Sequence, residues 1–421
     1  AVSFLRYSRL FEKDPATGET PPSVDSLIAF VVRLDGSVQR IELGPTAEVE
    51  TLVREWRAAL GRPLEARGIG GVATTSAEME LETLGNRLRQ RVLDPVLAGT
   101  GTVHALHVVL DDVLFLVPLD ALPLEQGLVG ERIALRHEVT LARLQRPARE
   151  VSSEGGLLVA GGIDYDAELG AESIVRLDAS TPPLEAGLRS GAAATAFVAL
   201  PGARAEAESI SALFESIFAR EAGVLVQTEA TKAALHAAAP KARWLHLATH
   251  GWFASEAFKS QLDSLAESSA RDAFQRAEAT LTGFAPETLC GLALAGANRG
   301  KDALGRVPGI LTAEELATFD LRNCELAVLS ACETNVGVRR AGQGIQSLQT
   351  ALPAAGARTA IPSLWKVDDA ATRRLFELFY TKLWKDKLGK HDALWQAKMA
   401  LRAEGHPPRD WAGWVLSGDP D

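Results

Sequence analysis

The chain has 421 residues, and at roughly 150 residues per domain this length corresponds to two or three domains. Hydrophobic residues make up 47% of the chain and charged residues 23%, a globular balance that excludes a disordered protein. The formal net charge is −10, which argues against a general nucleic-acid-binding protein because such proteins need a basic face.

The three cysteines, Cys290, Cys324 and Cys332, are too few and odd in number to predict a disulfide framework. They form no Cys-x-x-Cys pair, so we expect no structural zinc, no other metal and no cofactor. No apolar run is long enough to predict a membrane helix, and the start of the chain shows no signal-peptide pattern. We therefore expect a cytoplasmic protein with neither a membrane nor a nucleic acid as partner.

The first part of the chain, to about residue 150, predicts hairpins and helices. Asp35-Gly36 is a typical hairpin turn, and Asp111-Asp112 is predicted to connect a second hairpin. Thr46 is predicted to cap a helix. The expected elements are strands at 28–34 and 38–43, helices at 46–61 and 75–97, strands at 104–110 and 113–118, and a strand at 137–142.

Beyond residue 150 the pattern changes to strands that alternate with helices. This alternation predicts a mostly parallel sheet with helices on both faces. The expected strands lie at 156–162, 223–227, 243–249, 325–330 and 357–363. The expected helices lie at 203–220, 231–239, from about 342, at 369–385 and at 391–403.

These patterns divide the chain into a smaller α+β region at 1–150 and an α/β domain at 151–421. A polar stretch rich in Ser, Ala and Glu at 254–286 matches no strand, and we expect it to be an inserted segment, either helical or mobile.

Two predicted strands of the second domain end in residues that can carry chemistry. His250-Gly251 follows the strand at 243–249, and Cys332 follows the strand at 325–330. Ligands of open parallel sheets bind at the carboxyl ends of the strands. If these two strands are neighbours, His250 and Cys332 meet at the same edge.

A cysteine beside a histidine predicts nucleophilic catalysis. The thiolate attacks, the imidazolium stabilises it, and the histidine then protonates the leaving amine. The backbone N–H groups of Gly251 and Cys332 would form an oxyanion hole. Taken singly, a free cysteine or a lone histidine is more often structural, and His246, inside its strand, is interpreted as core or as support for the site.

Several ordered motifs resemble the CHAT peptidases, caspase-like domains associated with tetratricopeptide repeats. They are HLATHG at 246–251, LSACET at 329–334, SLWKVDDAAT at 363–372 and the terminal WAGWVLSGDP, with further likeness at 113–124 and 292–298. The resemblance therefore covers most of the chain, including the smaller first region.

The resemblance implies a caspase-like three-layer α/β/α sandwich, preceded by a non-catalytic α+β region. It implies a dyad of Cys332 as nucleophile and His250, with Gly251 completing the oxyanion hole. The substrate would be a protein segment bound in extended form against a sheet edge. CHAT domains usually follow repeat arrays, so an upstream repeat domain or a regulatory protein would activate the enzyme, and this chain would then be a fragment of a longer one.

The resemblance also suggests a pocket for the residue before the scissile bond. In the clan this pocket is lined by the strand at 357–365, which brings in Ser363 and Trp365, and Asp369 and Asp368 would select a basic residue. Asp368 could equally cap the next helix, and an apolar preference stays open. Glu333 would hold a positive charge at the rim or favour the first turn of a helix.

We therefore expect a regulated cysteine endopeptidase, of the kind that serves bacterial stress or anti-phage responses. The alternative is a catalytically silent caspase-like scaffold or interaction module. A third, remote alternative is a cysteine-dependent transferase or hydrolase on another α/β fold.

Overall fold

The computed structural model describes residues 1–13, 20–61, 76–145, 155–170, 196–253, 290–299, 307–331, 338–340, 344–346 and 348–421. The chain forms two compact units. The first comprises residues 1–147, 339–345 and 402–413, and the second comprises residues 148–338, 346–401 and 414–421. The division expected near residue 150, into a non-catalytic region and a catalytic domain, stays a prediction.

The sheet of the first unit combines an antiparallel meander with two parallel strands. Its strands lie in the order β3-β2-β1-β4-β5. The β1/β2 and β2/β3 pairs are antiparallel, and the β1/β4 and β4/β5 pairs are parallel. The strands are β1 Val2–Arg9, β2 Val24–Val32, β3 Val38–Pro45, β4 Ala105–Val109 and β5 Ala134–His137.

Four helices of the first unit follow in the chain, and they bury apolar faces. In the first of them Val49, Leu52, Val53, Trp56 and Leu60 recur at helical spacing and are all buried. The helices are α1 Thr46–Leu60, α2 Ser76–Val92, α3 Asp94–Thr100 and α4 Val129–Arg132. Short 3-10 helices lie at Asp112–Leu116, Leu119–Ala121 and Leu141–Gln145.

Several local predictions for this unit are wrong. The strand expected at 137–142 lies earlier, at Ala134–His137, and the helix expected at 75–97 is divided into α2 and α3. The segment 113–118 is not the second strand of a hairpin. The Asp111 side chain accepts a hydrogen bond from Asp112 N–H, and Asp112 adopts a left-handed φ of 50°, so the chain enters a 3-10 helix instead. Thr46 is not a helix cap either, because Pro45 occupies the N-cap position. Thr75, where the second helix was expected to begin, lies outside the described residues.

The sheet of the second unit is parallel except at one edge. Its strands lie in the order β16-β15-β12-β8-β6-β7, and only the β15/β16 pair is antiparallel. These strands are β6 Gly156–Ile163, β7 Gly223–Gln227, β8 Ala242–Ala248, β12 Leu326–Ser330, β15 Thr359–Ile361 and β16 Ser417–Gly418.

Helices cover both faces of this second sheet. Along β8, Trp244 and His246 face an aromatic layer, whereas Leu245 and Leu247 join the apolar core on the other face. The helices of this unit are α5 Pro201–Phe218, α6 Lys232–Ala238, α7 Ala313–Ala317, α8 Leu348–Ala355, α9 Asp369–Tyr380 with a π-helical turn Thr381–Lys385, and α10 Lys390–Ala403. A 3-10 helix lies at Ala239–Lys241. The last helix, α11 Pro408–Trp411, belongs to the first unit.

Two smaller sheets complete the description. One has the order β11-β10-β9, built from β9 Gly251–Phe253, β10 Cys290–Ala293 and β11 Ile310–Thr312. The other pairs β13 Val338–Arg340 with β14 Gly344–Gln346. The expected helix from about 342 therefore begins only at Leu348, since Gly342 and Gly344 disfavour a helix.

The predicted fold class, an α/β protein with a mostly parallel sheet and flanking helices, is confirmed. The expected insertion at 254–286 lies outside the described residues. Among the helices described, none combines the length and the apolar character that crossing a bilayer requires.

Candidate active site

The two strands that carry the predicted dyad residues at their ends are neighbours in the sheet. β8 and β12 run parallel, with Ala248 beside Ser330 at their carboxyl ends. The Thr249 N–H donates a hydrogen bond to Ser330 O at 3.1 Å, which extends the pairing one residue beyond β8. His250 therefore lies at the edge of the sheet formed by the carboxyl ends of β8 and β12. Residue 332 follows the end of β12 after one residue, Ala331.

Cys332 and Glu333 lie outside the described residues, but the residues just before them are held firmly. The buried Ser363 hydroxyl donates to Ala331 O at 2.6 Å. The Ser330 hydroxyl donates to Glu206 Oε2 at 3.0 Å. Side chains from two neighbouring elements thus fix the last turn of chain before the cysteine.

The ring of His250 has a defined environment. Its Nε2 lies 2.8 Å from Val198 O. A carbonyl oxygen only accepts, so Nε2 carries the hydrogen and Nδ1 is the basic nitrogen. The ring also contacts Tyr165 and Phe197, with centroid distances of 5.2 and 5.4 Å.

The surroundings of His250 keep it neutral at pH 7. Burial lowers the pKa of His250 below its usual value, and the nearby Lys366 ammonium lowers it further. The hydrogen bond to Val198 O and the Asp369 carboxylate raise the pKa but do not cancel the effect of burial. A neutral imidazole with a basic Nδ1 is the form that takes a proton from a thiol.

Thr249 ties the end of β8 to the neighbouring small sheet. Its hydroxyl donates to Ala293 O and accepts from the buried Tyr165 hydroxyl at 3.0 Å. Ala293 N–H in turn donates to His250 O at 2.9 Å. The Thr249 side chain and the His250 carbonyl are therefore both held by hydrogen bonds.

The register of β9 and β10 sets the direction of the Gly251 amide. Ala293 N–H bonds His250 O, which makes these two residues a hydrogen-bonded pair of the antiparallel ladder. Such pairs alternate with pairs that exchange no hydrogen bonds. The next pair, Gly251 with Leu292, is of the second kind, so Gly251 N–H points away from β10. That direction suits an oxyanion-hole donor.

A buried chain of polar side chains lies behind the site. The Tyr380 hydroxyl is 3.1 Å from His246 Nδ1, His246 Nε2 is 3.0 Å from Glu206 Oε1, and Glu206 Oε2 accepts from Ser330. His246 is therefore a buried residue that supports the site, one of the two roles considered for it. The sequence reasoning missed Glu206, although it lies on the apolar face of α5 with Ala203, Ala207 and Ile210, and a glutamate there is a signal.

The predicted pocket residues occupy different environments. Asp368 caps α9, because its carboxylate accepts from Ala370 N–H and Ala371 N–H, both at 3.0 Å. The exposed Asp369 lies against Gly202 in the first turn of α5, so closely that no side chain at 202 would fit. Ser363 is buried against Ala331 O, and the half-buried Trp365 follows it. Their role in substrate binding stays a prediction.

The sequence reasoning also missed two further contributors to the site. Val198 acts through its backbone carbonyl, which any residue type supplies. Asn298 lies in the LALAGAN segment at 292–298 and bonds the chain beside Val198. Within the described part of the chain, no group of three or more His, Cys, Asp or Glu side chains could hold a metal ion.

The fold is that of an α/β protein with a mostly parallel sheet and flanking helices. The CHAT domain model matches residues 82–419, and the chain therefore belongs to the CHAT domain family. No match is found among the curated proteins.

Two solved structures illustrate the likeness in fold. One is separase in the Saccharomyces cerevisiae separase–securin complex, with 10% identity and a TM-score of 0.40 over 93% of this chain and 23% of that chain. The other is the Arg-specific cysteine proteinase gingipain R, with 10% identity and a TM-score of 0.41 over 89% of this chain and 74% of that chain. The chain thus spans less than a quarter of the separase chain.

Proposed function

We propose that the protein is a cysteine endopeptidase that hydrolyses peptide bonds through a Cys332/His250 dyad. The observation that carries this proposal is the pairing at the ends of β8 and β12. It sets His250, with a basic Nδ1, beside the strand end from which the chain reaches Cys332 after one residue. Membership of the CHAT domain family supports the same chemistry.

In the proposed reaction the Cys332 thiol gives its proton to His250 Nδ1, and the thiolate attacks the carbonyl carbon of the scissile bond. The N–H groups of Gly251 and Cys332 stabilise the oxyanion of the tetrahedral intermediate. As the intermediate collapses, the C–N bond breaks and His250 returns the proton to the leaving amine. Water, deprotonated by His250, then hydrolyses the thioester and restores the free cysteine. The Val198 carbonyl stabilises the imidazolium because it accepts a hydrogen bond from His250 Nε2–H in every step.

The substrate of this enzyme is a protein segment bound in extended form. Asp369 would attract a basic residue before the scissile bond, and Trp365 would favour an apolar one. Lys366, beside Asp369, weakens the purely acidic character of this rim. A regulatory protein or an upstream repeat domain would control the activity, in a bacterial stress or anti-phage response in the cytoplasm.

A peptide-library cleavage assay with mass-spectrometric readout tests the proposal. Wild type should produce cuts that are absent in Cys332→Ala. The matched control is Cys324→Ala, because Cys324 is fully buried and burial raises the pKa of its thiol to about 12, so it cannot supply a thiolate. Equal cleavage by wild type and Cys332→Ala would remove Cys332 from the mechanism.

The same assay separates the alternatives. Labelling of Cys332 by a peptide-based electrophile, lost in His250→Ala, supports the enzyme even where no library peptide is cut. A Cys332 that stays unlabelled while the fold is intact indicates a silent scaffold or interaction module. Cuts after Arg or Lys that weaken in Asp369→Ala support a basic pocket, and cuts after apolar residues argue against it.

A further inference from the structure

The carbonyl that accepts the hydrogen bond from His250 belongs to Val198, whose side chain is 67% exposed. The side chain of Val198 therefore does not anchor its own carbonyl. The neighbouring Phe197 ring packs against the core and contacts the rings of Tyr165 and His250, but a ring contact does not by itself set the direction of the backbone. Hydrogen bonds to the Phe197 backbone add that direction.

The Asn298 side chain makes these hydrogen bonds. Its Oδ1 accepts from Phe197 N–H at 2.8 Å, and its Nδ2 donates to Phe197 O at 2.9 Å. A carboxamide that bonds both backbone groups of one residue acts like a neighbouring strand and fixes the adjoining peptide planes. The peptide that carries Val198 O is the next one along the chain, and only the Cα of Val198 separates it from the fixed Phe197–Val198 peptide.

Asn298 is itself held on the side away from Phe197. Its backbone N–H donates to Tyr165 O at 2.8 Å, and its Nδ2 also donates to Asp166 Oδ1 at 3.1 Å. Tyr165 contacts the His250 ring and bonds Thr249. The bonds through Asn298, Phe197 and Val198 and those through Tyr165 thus approach His250 from two directions.

We propose that Asn298 is a positioning residue for His250, which fixes the Val198 carbonyl and thereby holds the imidazole in its Nε2–H form and leaves Nδ1 as the basic nitrogen. This inference rests on the proposed function for its catalytic consequence. The structural part of the inference does not rest on the proposed function. That part is the tautomer of His250 and its dependence on Asn298.

Loss of the Asn298 amide should change the pKa of His250 in one direction. The bond to Val198 O favours the charged form of His250, so its weakening lowers the pKa of the imidazole further. The other charges that act on His250 are Lys366, which lowers its pKa, and Asp369, which raises it. Around Asn298 the charged groups are Asp166 and Arg299, whose Nε bonds Asp166 O.

The test measures His250 directly by NMR of ¹⁵N- and ¹³C-labelled histidine in the full chain, assigned with His250→Gln. Wild type should show the Nε2–H tautomer in its neutral form. Asn298→Ala should show a mixture of tautomers and a lower pKa of His250. On any cleavable peptide, kcat should fall about tenfold to hundredfold, with KM little changed, because the base is misoriented rather than the substrate site altered.

Two further variants keep the result interpretable. Asn298→Asp retains an acceptor for Phe197 N–H but has no N–H for Phe197 O, so it should not restore the wild-type tautomer. Asn323→Ala is the matched control, because Asn323 also bonds a backbone carbonyl, that of Pro240, but is exposed and belongs to no contact of the site. It should leave the spectrum of His250 unchanged.

The outcomes separate this inference from the proposed function. An Nδ1–H tautomer in wild type overturns the inference whatever the variants do. So does an unchanged His250 spectrum in a folded Asn298→Ala. If the tautomer depends on Asn298 but Cys332 neither cleaves nor becomes labelled, the positioning role is supported and the peptidase proposal fails.

Discussion

The two units place charged and polar side chains near their strand ends in different ways. In the first unit opposite charges pair with one another: Arg6 bonds Asp112 at 3.0 Å and Asp25 at 2.7 Å, and Arg143 pairs with Glu138. At the carboxyl ends of β8 and β12 in the second unit, Thr249, Ser363 and His250 bond backbone carbonyls instead, and Ser330 bonds the Glu206 carboxylate. Ser363 bonds Ala331 O, and His250 bonds Val198 O.

This difference separates stabilising contacts from orienting ones. An ion pair satisfies both partners and leaves neither with chemistry to perform. A bond from one ring nitrogen to a carbonyl fixes the orientation of the imidazole and reserves the other nitrogen for proton transfer. Such contacts should therefore affect catalysis when they are removed, whereas the ion pairs of the first unit should affect only stability.

The largest effect is expected from substitution of Glu206, because its carboxylate both stabilises the buried His246 and orients Ser330. Glu206→Ala leaves the buried His246 Nε2–H and the Ser330 hydroxyl without their acceptor, and should lower the free energy of unfolding by about 3 kcal/mol. It should also slow the labelling of Cys332, because Ser330 is no longer fixed. Chemical denaturation and labelling kinetics measure the two effects.

The matched control lies on the same helix. Glu208 is 60% exposed and pairs with Arg204 one turn away. Glu208→Ala should change the free energy of unfolding by about 0.5 kcal/mol or less and leave labelling unchanged. Equal effects of Glu206→Ala and Glu208→Ala would show that the buried chain of polar groups has no structural role.

A smaller effect, confined to stability, is expected from Glu138 in the first unit. Burial alone would raise the pKa of its carboxyl, but the hydrogen bonds from Arg143 and His107 outweigh burial and lower it below the usual 4.5. A depressed pKa stabilises the fold above the unfolded value, and this contribution is lost as pH falls through the folded value. Glu138→Gln should therefore cost about 2 kcal/mol at pH 7, and the difference from wild type should shrink in acid.

Denaturant unfolding at pH 7 and near pH 4 checks this expectation. Glu55→Gln is the control, because Glu55 is 45% exposed and lies 3.9 Å from its partner Arg87. It should show little pH-dependent difference. Peptide cleavage by folded Glu138→Gln should equal that of wild type, and a large loss of kcat would contradict the separation between the units.

The sequence placed His250 and Cys332 just after predicted strands and left open whether those strands are neighbours. It missed the contacts that depend on backbone groups and on residues distant in the chain. The alternation of strands and helices placed His250 at a strand end, and β8 and β12 are indeed neighbours. Val198 could not be found, because a backbone carbonyl carries no residue signature. Asn298 lies in a motif, but its bond to Phe197 joins positions 101 residues apart in the chain. The 3-10 turn after Asp111 was missed because Asp112 adopts a left-handed backbone, which is uncommon for residues other than glycine.

The smallest effect concerns the two exposed charges near His250. Its depressed pKa places the acidic limb of kcat/KM below pH 6.5, the ordinary value for histidine. Lys366→Met removes a charge that lowers this pKa and should move the limb to higher pH, whereas Asp369→Asn should move it to lower pH. Because both groups are exposed, each shift should be a few tenths of a pH unit and should shrink at high salt. Shifts of the same sign in both variants would mean that the limb reports a group other than His250.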